Sequence, residues 1–179
     1  HRDLHSFPTR RSSDLFGLHG SDVDIWMGTL SKALAGCGGY IAGETALVEH
    51  LKFLAPGFLY SVGMPPSVAA SSLAALKLMQ QAPELTATLK TRGRLFLKLA
   101  QEAGINTGSS SGLAIVPAIT GSSLTAARLA ETLFEQGINV QPIIYPAVPE
   151  KSARLRFFIS CLHTEEQIRQ TVAILAKEI

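Results

Sequence analysis

The chain has 179 residues, 46% of them hydrophobic and 17% charged, with 16 basic against 14 acidic side chains. That balance excludes a disordered polymer and supplies no basic field of the kind that nucleic-acid binders carry. No run approaches the ~18 consecutive apolar residues of a membrane span, and Cys37 and Cys161 make neither a disulfide framework nor a zinc site; a reducing cytoplasm suits them.

In chain order, His1 to Leu15 reads HRDLHSFPTRRSSDL, polar and arginine-rich, and no apolar stretch follows to make it a secretory signal. One codon choice spells it, in frame from end to end, as a sequence resembling a common short-read sequencing adapter. Residues 1–15 are therefore expected not to be native, with a disordered basic tail as the alternative. The expectation that follows is a longer protein, cut at Phe16.

From Phe16 strands and helices alternate. Val23 to Met27 is short, apolar and partly β-branched, and predicts a buried strand. Gly38 to Gly43 predicts a second strand. Leu47, Val48, Leu51 and Leu54 recur at near-helical spacing, so Glu44 to Leu54 predicts a helix. Pro65-Pro66 interrupts, and Ser67 to Gln80 is an Ala/Leu-rich helix. Pro83 suits a first helical turn and opens a long helix to about Ala103, with Gly104 as its left-handed cap.

The last third changes character. Leu113 to Ile119 predicts a strand, which Pro117 restricts to an edge or a bulge. Ser123 is placed to cap a helix ending at Gly137. Asn139 to Tyr145 and Arg154 to Ser160 predict strands, and Thr164-Glu165-Glu166-Gln167 is a capping box that turns Ile168, Val172 and Leu175 inward. An α/β piece over residues 16–95 is thus followed by an α+β piece over 96–179, the transition lying within the long helix.

Chemistry concentrates in Gly28-Thr29-Leu30-Ser31-Lys32-Ala33-Leu34-Ala35-Gly36-Cys37-Gly38-Gly39-Tyr40. A lysine follows an apolar strand and precedes a glycine-rich turn. A poorly hydrated setting disfavours an ammonium and leaves the neutral amine that imine chemistry requires. Thr29 and Ser31 offer hydroxyls to an anion such as phosphate. An isolated Ser-Lys pair would read as a surface lysine; the surroundings argue otherwise. In the strand Arg154 to Ile159, Leu155, Phe157 and Ile159 share one face, so Arg156 points to the other, together with Arg154. A guanidinium suits bidentate carboxylate binding. His163, before a capped helix, is expected to bond locally, and His19 and His50 have no metal-spaced partners.

DIWMGTLSKALAGCGGYIAG resembles the cofactor-lysine region of the α-oxoamine synthases, fold-type I enzymes dependent on pyridoxal 5′-phosphate. The resemblance continues through FLYSVGMPPSVAA, GINVQPIIYPAVP and ARLRFFISCLHTEEQI, in order, from Phe16 to Ile179. It implies an α/β fold: the C-terminal part of a cofactor-binding major domain over 16–95, then a small α+β domain over 96–179. It implies that Lys32 holds the cofactor covalently and that Thr29, with Ser31 beside it, bonds the cofactor phosphate. Ser61-Val62-Gly63 falls where relatives have Ser-Thr-Ser or Ser-Asn-Ser and reach the neighbouring subunit's phosphate; Val62 and Gly63 leave only backbone N–H groups for that contact. Arg156 matches the arginine that holds the amino-acid carboxylate.

The implied reaction condenses an amino acid with an acyl-CoA or acyl carrier thioester, usually with loss of CO₂, to an α-amino ketone. The implied assembly is a cytoplasmic homodimer with shared active sites. The aspartate that pairs the pyridine nitrogen, and two histidines near it, are expected upstream of Phe16; Asp24 is not at that position. Tyr145-Pro146-Ala147-Val148-Pro149 replaces a segment that carries a threonine in biotin-pathway relatives, which weakens a pimeloyl assignment. The competing readings are an aminotransferase of the same fold, a non-catalytic partner subunit, against which Lys32 speaks, and an inactive gene fragment.

Overall fold

The computed structural model describes His19 and residues 22–179, so the expectations for residues 1–15 lie outside the described residues. The chain forms two compact units, His1–Pro83 and Glu84–Ile179.

In the first unit, β1 (Ile25–Thr29) and β2 (Gly39–Gly43) pair antiparallel in the register Ile25 to Gly43 and Thr29 to Gly39. β1 starts two residues later than its apolar run suggests, and it is not buried: Ile25 and Met27 are exposed. Among the described residues the pair is a two-stranded ribbon with no neighbouring strand to extend its sheet. Three helices follow: α1 (Thr45–Leu54), the single turn α2 (Pro56–Leu59) and α3 (Pro66–Gln81). α2 and α3 both open on proline, whose missing N–H costs nothing at that position. Neither α1 nor α2 has a buried residue, and α3 buries only Ser72.

The second unit is built around α4 (Pro83–Glu102), β3 (Ile115–Ile119), α5 (Ser123–Glu135), β4 (Gln141–Ile143), a 3₁₀ turn over Glu150–Ser152, β5 (Arg154–Phe158) and α6 (Glu165–Glu178). The strands form one antiparallel sheet in the order β3-β5-β4. β3 is an edge strand, as Pro117 requires. Alternation along the strands sends Val116, Ala118, Leu155 and Phe157 to one face, where they join Phe96 and Ala100 of α4, Leu129 and Leu133 of α5, and Ile168, Val172 and Leu175 of α6. The Phe96 and Phe157 rings lie 4.9 Å apart at a tilted angle. Each fully buried side chain of this size contributes about 1.5–3 kcal/mol relative to exposure.

α4 is committed to this core along the half that includes residue 95. A Cβ on its Gly93 would fall 1.9 Å from the Leu113 carbonyl oxygen, so only glycine allows that approach. Gly104 ends the helix at φ 75°, and the Ile105 N–H reaches back to the Ala100 carbonyl at 2.9 Å.

Two further sequence expectations shift. The cap of α5 is Ser122, whose hydroxyl accepts from the Thr125 N–H; Ser123 is the first helical residue and its side chain is used elsewhere. The strand expected over Asn139 to Tyr145 contracts to Gln141–Ile143, because the Ile144 carbonyl accepts from the Ala147 N–H at 3.0 Å and turns the chain. The capping box of α6 forms as read: Thr164 Oγ1 accepts from the Gln167 N–H at 3.1 Å, and Gln167 Oε1 accepts from the Thr164 N–H at 2.9 Å.

Candidate active site

Thr29 is the last residue of β1, and the chain leaves the ribbon there in a tight loop. The Leu30 N–H donates to the Gly38 carbonyl at 2.9 Å, and the Gly36 N–H donates back to the Leu30 carbonyl at 2.9 Å. Leu30 is buried and anchors the loop. Ala35 closes it at φ 51°, a left-handed conformation that residues other than glycine rarely take. Its N–H bonds the Lys32 carbonyl at 3.1 Å, which fixes the backbone of the lysine.

Three side chains converge on the outer rim of this loop. The Thr29 and Ser31 hydroxyl oxygens are 2.7 Å apart, and the Ser31 N–H donates to Thr29 Oγ1 at 3.2 Å. Lys32 Nζ donates to Ser31 Oγ at 3.4 Å. One amine and two hydroxyls thus occupy a patch a few ångströms across. All three residues are exposed, so among the described residues the poorly hydrated pocket read from the sequence is not formed. The small side chains around the lysine leave its amine uncovered.

Ser61, Val62 and Gly63 follow α2. Ser61 Oγ donates to the Phe58 carbonyl at 2.8 Å, and the Gly63 N–H reaches Ser61 Oγ at 3.4 Å. The hydroxyl is therefore occupied locally, while the Val62 side chain is fully exposed. Gly63 takes φ 79°.

In the second unit, Arg156 lies on the sheet face opposite the core, with Arg154 and Phe158 on the same side. The guanidinium carbon of Arg156 sits 4.9 Å from the Phe158 ring centroid, within cation–π range. Arg154 differs: its Nε is spent on the Ser152 carbonyl at 2.7 Å. His163 bonds locally, Nδ1 accepting from the Ser160 N–H at 3.1 Å. It also borders a cleft of about 340 Å³ lined by Asn139, Gln167, Gln170 and Thr171 among others. Among the described residues no group of three or more His, Cys, Asp or Glu is placed to hold a metal ion.

Among the polar contacts that sequence reading missed, one joins α5 to the 3₁₀ turn. Glu150 Oε1 accepts from the Ser123 N–H at 2.7 Å, and Ser123 Oγ donates to Glu150 Oε2 at 2.5 Å. The Ser123 hydroxyl first, and its backbone N–H second, hold the Glu150 carboxyl below its usual range. The partners are 27 positions apart, and no local pattern signals the pair.

Residues 5–175 match the family described as aminotransferase class I and II. The chain belongs to that family. An 8-amino-7-oxononanoate synthase of Symbiobacterium thermophilum is 40% identical over 168 residues, covering 94% of this chain and 42% of that protein. The chain spans about two fifths of the length of such curated relatives. The solved 8-amino-7-oxononanoate synthase of Francisella tularensis superimposes with a TM-score of 0.84 at 26% identity, covering 97% of this chain and 50% of that one. A structure of SPT with PLP internal aldimine gives a TM-score of 0.87 at 24% identity, over 94% and 42% of the two chains, and speaks for the fold alone. The family member described here therefore carries part of the fold-type I transferase architecture.

Proposed function

We propose that this chain is the lysine- and arginine-bearing part of a pyridoxal-phosphate-dependent acyltransferase that condenses an amino acid with an acyl-CoA or acyl carrier thioester. The observation that carries the reading is the cluster of Lys32 Nζ, Ser31 Oγ and Thr29 Oγ1 at the end of β1. Its donor set fits the cofactor: a primary amine for the aldehyde, and hydroxyls with a backbone N–H for the phosphate. When bound, pyridoxal phosphate supplies an electron sink that stabilises a carbanion at the substrate α-carbon.

This chain's residues do the rest. Thr29 and Ser31 would hold the phosphate by hydroxyl donation. Lys32 Nζ would hold the cofactor, and the same amine, when free, would take the α-proton as general base. Arg156 holds the amino-acid carboxylate by paired N–H donors. The backbone N–H groups of Val62 and Gly63 reach the phosphate of a second copy, giving a homodimer whose sites lie between subunits. The reading places it in the cytoplasm, which the two free cysteines suit. No helix among the described residues is long and apolar enough to cross a membrane. The Tyr145–Pro149 segment, without a threonine, weakens a pimeloyl-specific assignment, while the likeness to 8-amino-7-oxononanoate synthases keeps pimeloyl among the acyl chains to test.

The test is borohydride reduction of the complete cofactor-loaded enzyme that contains this chain, followed by peptide mass mapping. The pyridoxyl group is expected on Lys32. Labelling confined to Lys52 or Lys77 would remove the assignment.

A further inference from the structure

We propose that Glu150 and Ser123 form a clasp that positions the arginine-bearing strand β5, which makes Glu150 a positioning residue for Arg156; the proposal rests on the carboxylate-holding reading of Arg156. The turn between β3 and α5, residues 120–123, grips the segment leading into β5 at three places. At the near end, the Tyr145 N–H donates to Ser123 Oγ at 3.2 Å. Five residues on, both Glu150 oxygens are taken by the same serine, one by its N–H and one by its hydroxyl. At the far end, the Ala153 carbonyl accepts from the Thr120 and Gly121 N–H groups at 2.9 and 3.2 Å, with Thr120 Oγ1 at 3.0 Å.

Ser123 is thus the neck of a closed loop. Its hydroxyl accepts from Tyr145 and donates to Glu150, so the two ends of the segment are joined through one side chain. Pro146 and Pro149 fix φ inside that loop, and Pro149 leads directly into Glu150. The carboxylate also meets the exposed N–H of the first residue of α5, where the helix dipole favours a negative charge. Ser122 caps the same helix by bonding the Thr125 N–H, so cap and clasp divide the free N–H groups between them. Arg154 follows Ala153 directly, and Arg156 stands two residues beyond. Within the sheet Arg156 is paired on both sides, with Pro117 of β3 and Gln141 of β4; what the clasp holds is the segment that feeds β5 into that ladder at Ala153, and through it the seating of the strand's Arg154–Arg156 end. Neither Glu150 nor Ser123 needs to touch substrate for this.

Two measurements test the proposal. The first is hydrogen exchange of backbone amides in the cofactor-loaded enzyme containing this chain, comparing wild type with Glu150→Gln, Glu150→Ala, Ser123→Ala and Ser123→Thr. The Tyr145 amide does not bond Glu150, so its protection reports the coupling. Glu150→Ala and Ser123→Ala are expected to speed its exchange at least tenfold, with the Val172 and Leu175 amides of α6 unchanged. Glu150→Gln keeps an acceptor for the Ser123 N–H and should act less, and Ser123→Thr should restore protection. Unchanged protection at Tyr145 in Glu150→Ala overturns the clasp.

The second is an amino-acid titration of the cofactor-loaded enzyme containing this chain. Glu150→Ala is expected to raise the dissociation constant about tenfold, to leave cofactor affinity as it was, and to add nothing once Arg156 is replaced by alanine. Faster Tyr145 exchange with unchanged amino-acid affinity, while Arg156→Ala does weaken binding, overturns the positioning role. An Arg156→Ala enzyme of normal affinity overturns the underlying reading instead and leaves the exchange result standing.

Discussion

Arg156 and Arg154 share a strand face and a side-chain type, yet the structure uses them differently. Arg154 is tied to the Ser152 carbonyl, whereas Arg156 lies against the Phe158 ring. On the proposed reading, Arg156→Ala weakens amino-acid binding by about 2 kcal/mol or more, as deletion of a charged hydrogen-bond partner does. Cofactor binding is retained. A titration followed by cofactor absorbance measures both, and an unchanged affinity would transfer the role to Arg154 or remove it from β5. Glu150 makes a pH prediction. Its carboxyl titrates lower in the folded chain than the usual value of 4.5 because Ser123 bonds the ionised form. The unfolded chain therefore binds the proton more readily, and stability rises with pH across this window. The contribution is complete above about 4.5 and is lost as pH falls through the lower folded value. Thermal melts between neutral and strongly acid pH should show wild type and Glu150→Gln converging as pH drops. Parallel curves would show that the carboxyl contributes nothing through this pair.

Helix α6 is held by its cap, by one apolar stripe, and at its two ends by Arg92 on Glu165 and Gln136 on Glu178. Thr164→Ala removes an acceptor for the Gln167 N–H and should cost the second unit about 1 kcal/mol. A denaturant midpoint measures this, with Gln167→Ala as the smaller companion change. This element was legible in the sequence because every signal for it is local: the Thr-x-x-Gln spacing, and the 3.6-residue recurrence of Ile168, Val172 and Leu175. The parity of β5 was legible for the same reason. The bounds of β1 were not, since its apolar run says nothing of its partner, and it is pairing with Gly39–Gly43 that selects Ile25–Thr29. The sequence reading puts the cap of α5 one residue late, at Ser123; Ser122 takes it, and Ser123 is claimed instead by a carboxylate 27 positions away. The same holds at the site. The Thr29–Ser31–Lys32 cluster is contiguous and could be read directly, but the exposure of Lys32 depends on what covers it, which no spacing encodes.

Burial is distributed unevenly over the molecule. Of the buried apolar side chains among the described residues, Leu30 alone belongs to the first unit; the others run from Phe96 to Leu175. Meanwhile Phe53, Leu54, Phe58, Tyr60 and Val62 of the first unit are exposed. Apolar surface on that scale promotes association. Limited proteolysis should cut first within residues 22–83 and leave a resistant product beginning near Glu84, read by mass spectrometry. Equal resistance of both units would show that the first has a core of its own. Within the resistant unit, the strand that turns Leu155 and Phe157 inward and Arg154 and Arg156 outward restricts how the gene can change. Adding a single residue inside β5, between Leu155 and Arg156, would exchange the two sets beyond that point, driving a guanidinium group into the hydrocarbon interior and Phe157 out of it. A length change inside this strand therefore keeps its two faces only in steps of two, or as a bulge that absorbs the odd residue, whereas the segment ahead of it is free of that parity.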